Sequence, residues 1–336
     1  MHLHLNRYIL ETRLIQRLLC LLITAIGFIF TAQVSAQSYP NRPIRLVVPF
    51  PPGGGTDLVS RELAASLTQL TGWSIVVENR PGAGGNLGVD TAAKSAADGY
   101  TLVMGQTSNL AINPTLFTKL PYDPLRDLAP IIQIGSAPIV LVVPANSPYK
   151  NLGDLIKDAK ARPGMLNYAS SGNGTVAHLA AERLQQVADF KAQHIPYKGF
   201  NLAFGDLIAG QVQLFMSSVP TVIGQIRSGK LRALAVTSLQ RSEELPDTPS
   251  IAESGYPGFE AITWFGVLAP AATPQPILQQ LNLEINKAIG TTAFKSKMKG
   301  EGAIVLGGSA EQFSALLKKD LAMWGQVVKS SGAKID

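Results

Sequence analysis

The sequence predicts an α/β protein of two similar lobes, and three observations carry that expectation. Strand-like and helix-like runs alternate along the chain, the pattern of a mostly parallel sheet covered by helices. A loop rich in proline and glycine joins a strand to a helix at 49–57, and a second glycine–hydroxyl loop does so at 169–175. Beyond the first 36 residues no stretch stays apolar for the roughly 20 residues of a membrane-spanning helix, so the apolar content is free to form a core.

The first 36 of the 336 residues read as an export signal. Arg7, Arg13 and Arg17 form a basic start and 18–30 is an apolar run. Val34, Ser35 and Ala36 then supply small side chains ahead of a cut after Ala36. Removing the three arginines and one glutamate of this segment takes the formal charge from +6 to +4. The only cysteine, Cys20, leaves as well, so the exported chain has no disulfide and no thiol nucleophile. Its charges are scattered, with no basic run and no aromatic–basic interleaving, which excludes nucleic acid as a partner. Mild positive charge is compatible with an anionic small ligand.

The first lobe opens with strand 44–48 (IRLVV), the loop 49–57 and a helix over 58–70. Two prolines stiffen the loop's entry and three glycines free its tip for unusual backbone angles. Thr56 or Asp57 is placed to cap the helix. A β-run at 73–78, a turn-rich loop at 79–86, an alanine-rich helix at 87–97 and a strand at 100–104 follow, with the polar tip QTSN at 106–109. The β-run 131–143 stops at Pro144, and 146–154 reads as a crossing into the second lobe.

There the design repeats: strand 165–168, loop 169–175, helix 176–187, strand 194–197, a helix to Ile208, and strands 212–216 and 231–237. The β-run 262–268 returns to the first lobe. That lobe ends in helices at 276–289, 292–299 and 311–329, the last packing through Phe313, Leu316, Leu317 and Trp324. The expected lobes are thus 37–143 with 262–336, and 144–261. Ligands of such sheets bind beyond the carboxyl ends of the strands, where the glycine loops fall.

Catalytic chemistry finds little support. After the leader only His178 and His194 remain among the histidines. His178 and Glu182 sit four apart on one helix, half of a metal site, but no second carboxylate–histidine pair completes it. The stretch 170–174 (SSGNG) does not match Gly-x-Ser-x-Gly, and neither a phosphate-binding P-loop nor a dinucleotide fingerprint occurs. No cofactor is implied, and the expectation is a binding protein, not an enzyme.

Either glycine loop alone reads as an ordinary tight turn. Two of them at equivalent strand-to-helix junctions suggest an anion grip built from backbone N–H groups and helix N-termini. A carboxylate between them would add O–H bonds from Thr56, Ser170, Ser171 or Thr175, each charge-assisted bond contributing about 1.5–3 kcal/mol. Asp57 would repel such a ligand. It is expected to cap its helix from behind; pairing with a ligand amine is the sharper alternative.

Ordered motifs extend along the whole exported chain: YPNRPIR at 39–45, PFPPGG at 49–54 with Thr56 and Asp57, VENRPGAGG at 77–85, and DGYT at 98–101. AINP at 111–114, LPYD at 120–123, YAS at 168–170, GNGT at 172–175 and PYKG at 196–199 continue the series. LRALAVTS at 231–238, LPDTP at 245–249 and GYPGF at 255–259 complete it. With these motifs the chain resembles the periplasmic binding proteins of the tripartite tricarboxylate transporter type, also called the Bordetella uptake gene or Bug family.

The resemblance implies a type II periplasmic-binding fold that closes on a ligand between two lobes. It places Pro52, Gly53, Gly54, Thr56 and Asp57 on one side of an organic acid, and Ser171, Gly172, Gly174, Thr175 and His178 opposite. Thr107, Tyr197 and Trp264 match positions near the cleft. Ser217 stands where many relatives carry an aspartate, and Phe200 and Asn201 replace smaller, more polar residues, which points to a larger or more apolar acid. The implied partners are the membrane permease subunits of such a transporter or, in an alternative role, a sensor protein. The exported form is expected to be periplasmic and monomeric.

Overall fold

The computed structural model describes residues 39–331, so the expected export signal lies outside the described residues. From Arg42 onward the chain forms one compact unit. Among the described residues ten strands make one mixed sheet, in the order β2 (Ile75–Asn79), β1 (Ile44–Val48), β3 (Thr101–Gln106), β9 (Ile262–Pro270), β4 (Leu128–Pro144), β7 (Leu214–Ser218), β5 (Leu166–Ser170) and β6 (Ala192–Pro196), with β10 (Ile304–Val305) and β8 (Leu231–Val236) also paired to β4. The first lobe begins with β1 (Ile44–Val48), α1 (Gly55–Thr71), β2 (Ile75–Asn79), α2 (Asn86–Ala93) and β3 (Thr101–Gln106). A π-helical turn (Ser108–Ile112) and the short α3 (Asn113–Leu116) follow.

The strand β4 (Leu128–Pro144) organises the rest. Its first part, Leu128 to Pro138, pairs antiparallel with β9 (Ile262–Pro270). From Ile139 it pairs instead with β7 (Leu214–Ser218), and from Val140 also with β8 (Leu231–Val236). One strand therefore serves both halves of the sheet, changing partners at Pro138–Ile139. The outer pairs β1–β2, β1–β3, β5–β6 and β5–β7 are parallel, as the alternation of strand and helix predicts. Every antiparallel pair involves β4 or β9, the two strands at the junction of the lobes.

The second lobe consists of α4 (Leu152–Ala161), β5 (Leu166–Ser170), α5 (Val176–Ala188), β6 (Ala192–Pro196), α6 (Phe200–Ile208), β7, α7 (Val219–Arg227) and β8. Helix α4 begins inside the stretch expected as a crossing. Asn151 caps it by accepting the Asp154 N–H at 2.9 Å, and Leu152, Leu155, Ile156 and Ala159 bury one face. A core cluster around Phe200, Phe215, Val219 and Val222 fixes α6 and α7 on the sheet. Each such apolar side chain contributes about 1.5–3 kcal/mol on burial. The chain then returns through β9 to α8 (Gln275–Gly290), α9 (Thr292–Gly300), β10 (Ile304–Val305) and α10 (Ala310–Ser331). Phe313, Leu317 and Trp324 of α10 are buried in the main core, with Leu316 packed beside them, as the sequence predicts.

Candidate ligand-binding site

Helix α1 begins earlier than the sequence suggests, with Gly54 as its N-cap and no side-chain cap. Thr56 and Asp57 lie inside the first turn. The Asp57 carboxylate folds back to accept the Gly53 N–H at 2.9 Å, together with Arg61 Nε and Asn79 Nδ2, each also at 2.9 Å. Burial raises its proton affinity, but these donors outweigh that and hold the carboxyl below the usual range. Gly53 needs φ +80° to close this turn, a conformation glycine adopts without strain.

In the second lobe Thr175 caps α5 by accepting the His178 N–H at 3.2 Å, and its hydroxyl donates to Gly172 O at 2.9 Å. The glycine amides of this loop turn inward: Gly172 N–H donates to Ser170 Oγ at 3.2 Å and Gly174 N–H to His178 Nδ1 at 3.3 Å. Beneath the loop, His178 stacks on His194 with centroids 4.1 Å apart, and His194 stacks on Tyr168 at 4.8 Å. His194 Nε2 meets Ser170 Oγ at 2.7 Å, and the Tyr168 hydroxyl donates to Glu182. Burial, then the neighbouring His178, pushes His194 down to about 3; burial also lowers His178 against an opposing pull from Glu182. Both rings are neutral supports of the loop.

Each loop meets the opposite lobe. Gly55 N–H donates to Thr221 Oγ1 at 3.0 Å, and Val176 N–H donates to Ser108 Oγ at 3.1 Å. A methyl group on Gly174 would lie 2.7 Å from Asn113 Oδ1 of the opposite lobe, so glycine permits that approach. Between the lobes lies a cavity of about 400 Å³, a size suited to a small organic ligand.

Four helix N-termini face this cavity. Gly54, Gly55 and Thr56 line it from α1, Thr175, Val176 and Ala177 from α5, Gly199, Phe200 and Asn201 from α6, and Ser218 and Thr221 from α7. Each N-terminus carries roughly half a positive charge. Among the described residues Lys198 is the one charged residue in the lining, and no acidic residue is in it. Among the described residues no hydrogen bond occupies the Thr56 or Ala177 amide. No cluster that would hold a metal occurs among the described residues.

Of the residues expected at the site, Pro52, Gly53, Gly54, Thr56, Ser171, Thr175 and Ser217 line the cavity, whereas Asp57, Thr107, Gly172, Gly174, His178, Tyr197 and Trp264 do not. Thr107 instead accepts the Trp264 N–H at 3.0 Å and is fully buried. Trp264 points into the core, donating Nε1–H to Asp320 at 2.7 Å and meeting Phe313 edge-on. Tyr197 donates its hydroxyl to Asp206 at 2.7 Å. For Thr107 and Trp264 the neighbours line the cavity instead: Gln106 and Ser108 flank Thr107 where β3 passes into the π-helical turn, and Thr263 precedes Trp264 on β9, where alternate side chains face opposite sides. Sequence reasoning also missed Thr221 and Ser218, because the helix start at Val219–Pro220 gives no glycine signal.

Residues 59–333 match the family model described as the tripartite tricarboxylate transporter family receptor. Protein BugT of Bordetella pertussis is 42% identical over 320 residues, 94% of this chain and 98% of that protein. The solved structure of R. palustris Rpa4515 with adipate is 36% identical, with a TM-score of 0.86 over 88% of this chain and 100% of that one. MatC from Rhodopseudomonas palustris with bound malate is 30% identical, with a TM-score of 0.81 over 86% of this chain and 100% of that one. The cleft, the two glycine loops and these similarities agree: the chain belongs to the tripartite tricarboxylate transporter receptor family, as a two-lobed solute-binding protein of the type II fold and not an enzyme.

Proposed function

We propose that this receptor binds a small organic carboxylate in the interlobe cavity, outside the cytoplasmic membrane, and delivers it to the membrane subunits of a tripartite tricarboxylate-type transporter. The convergence of four helix N-termini on a cavity lined by one lysine and no acid carries this reading. A carboxylate there meets aligned backbone dipoles and the Thr56 and Ala177 amides without the desolvated cation that a buried arginine would bring. The adipate and malate held by the two related structures support the same ligand class. No helix among the described residues is long and apolar enough to cross a membrane, which suits a receptor that hands its cargo to separate membrane subunits. In this reading the lobes are 42–138 with 262–331, and 139–261, and they hinge where β4 changes partners.

Thermal unfolding in the presence of mono-, di- and aromatic carboxylates tests the ligand class. An acid at 100 times its dissociation constant adds about 2.7 kcal/mol of stability. Stabilisation by neutral sugars or by cations, with none by any organic acid, contradicts the proposal. Co-purification with the membrane subunits only when an acid is bound tests the delivery step.

A further inference from the structure

Gln106 ends β3 inside the cavity and is 7% exposed. Thr263, also in the lining, donates its hydroxyl to Gln106 Oε1 at 3.1 Å. That contact orients the amide, leaving Nε2 as the end with two donors to place. Ser217, 4% exposed on β7, lines the same cavity from the other lobe. Among the described residues no hydrogen bond occupies Gln106 Nε2 or the Ser217 hydroxyl. Buried donors find acceptors, and here the space they face is the ligand's.

The lining lacks a carboxylate to pair with an ammonium group, and Asp57 is turned away and neutralised by Arg61. An amino group in this cavity would be desolvated without a counter-charge. Resting on the carboxylate reading above, we infer that Gln106 Nε2 and the Ser217 hydroxyl form a second, uncharged recognition point that takes an oxygen acceptor of the ligand. The receptor is therefore selective for acids that carry a second oxygen group and no amino group.

Titration calorimetry with matched probes tests this: adipate against hexanoate and 2-aminoadipate, and malate against butyrate and aspartate. The expected result is that at least one of the two diacids binds tenfold or more tightly than its monoacid and its amino analogue. Gln106→Glu keeps the Thr263 contact but replaces a donor by a charged acceptor, and brings the diacid-to-monoacid ratio close to one. Ser217→Ala, a smaller change, lowers that ratio about threefold or more. Monoacids that bind as tightly as diacids, or a ratio unmoved by both substitutions, overturn the inference while leaving carboxylate binding intact. Failure of every acid overturns both.

Discussion

Gly55 N–H donates a 3.0 Å hydrogen bond to Thr221 Oγ1, joining residues 166 positions apart and the first turns of α1 and α7. The contact spans the two lobes beside the cavity. The Thr221 hydroxyl also lies 3.0 Å from Ser218 Oγ. A Cβ on Gly55 would stand 2.7 Å from that Ser218 oxygen, although Gly55 itself has an ordinary helical backbone.

Gly55→Ala is therefore expected to separate binding from folding. The methyl group blocks closure and should raise the dissociation constant for an acid tenfold or more. Once the lobes part and the Ser218 contact is relieved, the change should cost the fold no more than about 1 kcal/mol, since alanine is the better helix former. Calorimetric titration beside urea unfolding measures both quantities. Unchanged affinity would mean that the lobes do not approach at this point when ligand is held.

The stacked Tyr168–His194–His178 group makes stability depend on pH in one direction. Unfolded, each histidine takes up a proton near pH 6.5. Folded, burial lowers both, His194 to about 3. Unfolding thus binds protons as the pH falls below 6.5, so stability is fully present above that value and declines beneath it. The slope is at most about 1.4 kcal/mol per pH unit for each histidine. His194→Phe keeps an aromatic ring in the stack and should flatten urea-unfolding stability between pH 6.5 and 4.5. A wild-type protein equally stable across this range would contradict the buried, neutral assignment.

Trp264→Phe tests the division between core and cleft. The substitution leaves the buried Asp320 carboxyl without its 2.7 Å indole donor, a loss of about 1–3 kcal/mol. The acid's dissociation constant should stay within about threefold of wild type, because Trp264 is outside the lining while its neighbour Thr263 is in it. A large loss of affinity with unaltered stability would return Trp264 to the site.

Much of this was legible in the residues. Strand-to-helix junctions with glycine announced both loops, and the first one runs into α1 with Gly53 at φ +80°. The side-chain phase at the polar tip was not legible, because four consecutive polar residues, QTSN at 106–109, give no alternation to read. The fate of the glycine amides was hidden for a similar reason. Whether Gly174 N–H serves a ligand or His178 Nδ1 depends on a ring that stacks on His194, and that pairing is set by the sheet and not by spacing in sequence. Asp57 was expected to cap its helix, but its carboxylate instead accepts from Gly53, Arg61 and Asn79, and the last two become its neighbours only once α1 lies beside β2.

The crystal structure of the receptor with a bound organic acid is the most direct measurement of the central claim. The account predicts carboxylate oxygens within about 2.7–3.2 Å of the Thr56 and Ala177 amide nitrogens, between the starts of α1 and α5. An acid held away from both amides, with its carboxylate on Lys198 alone, would contradict it.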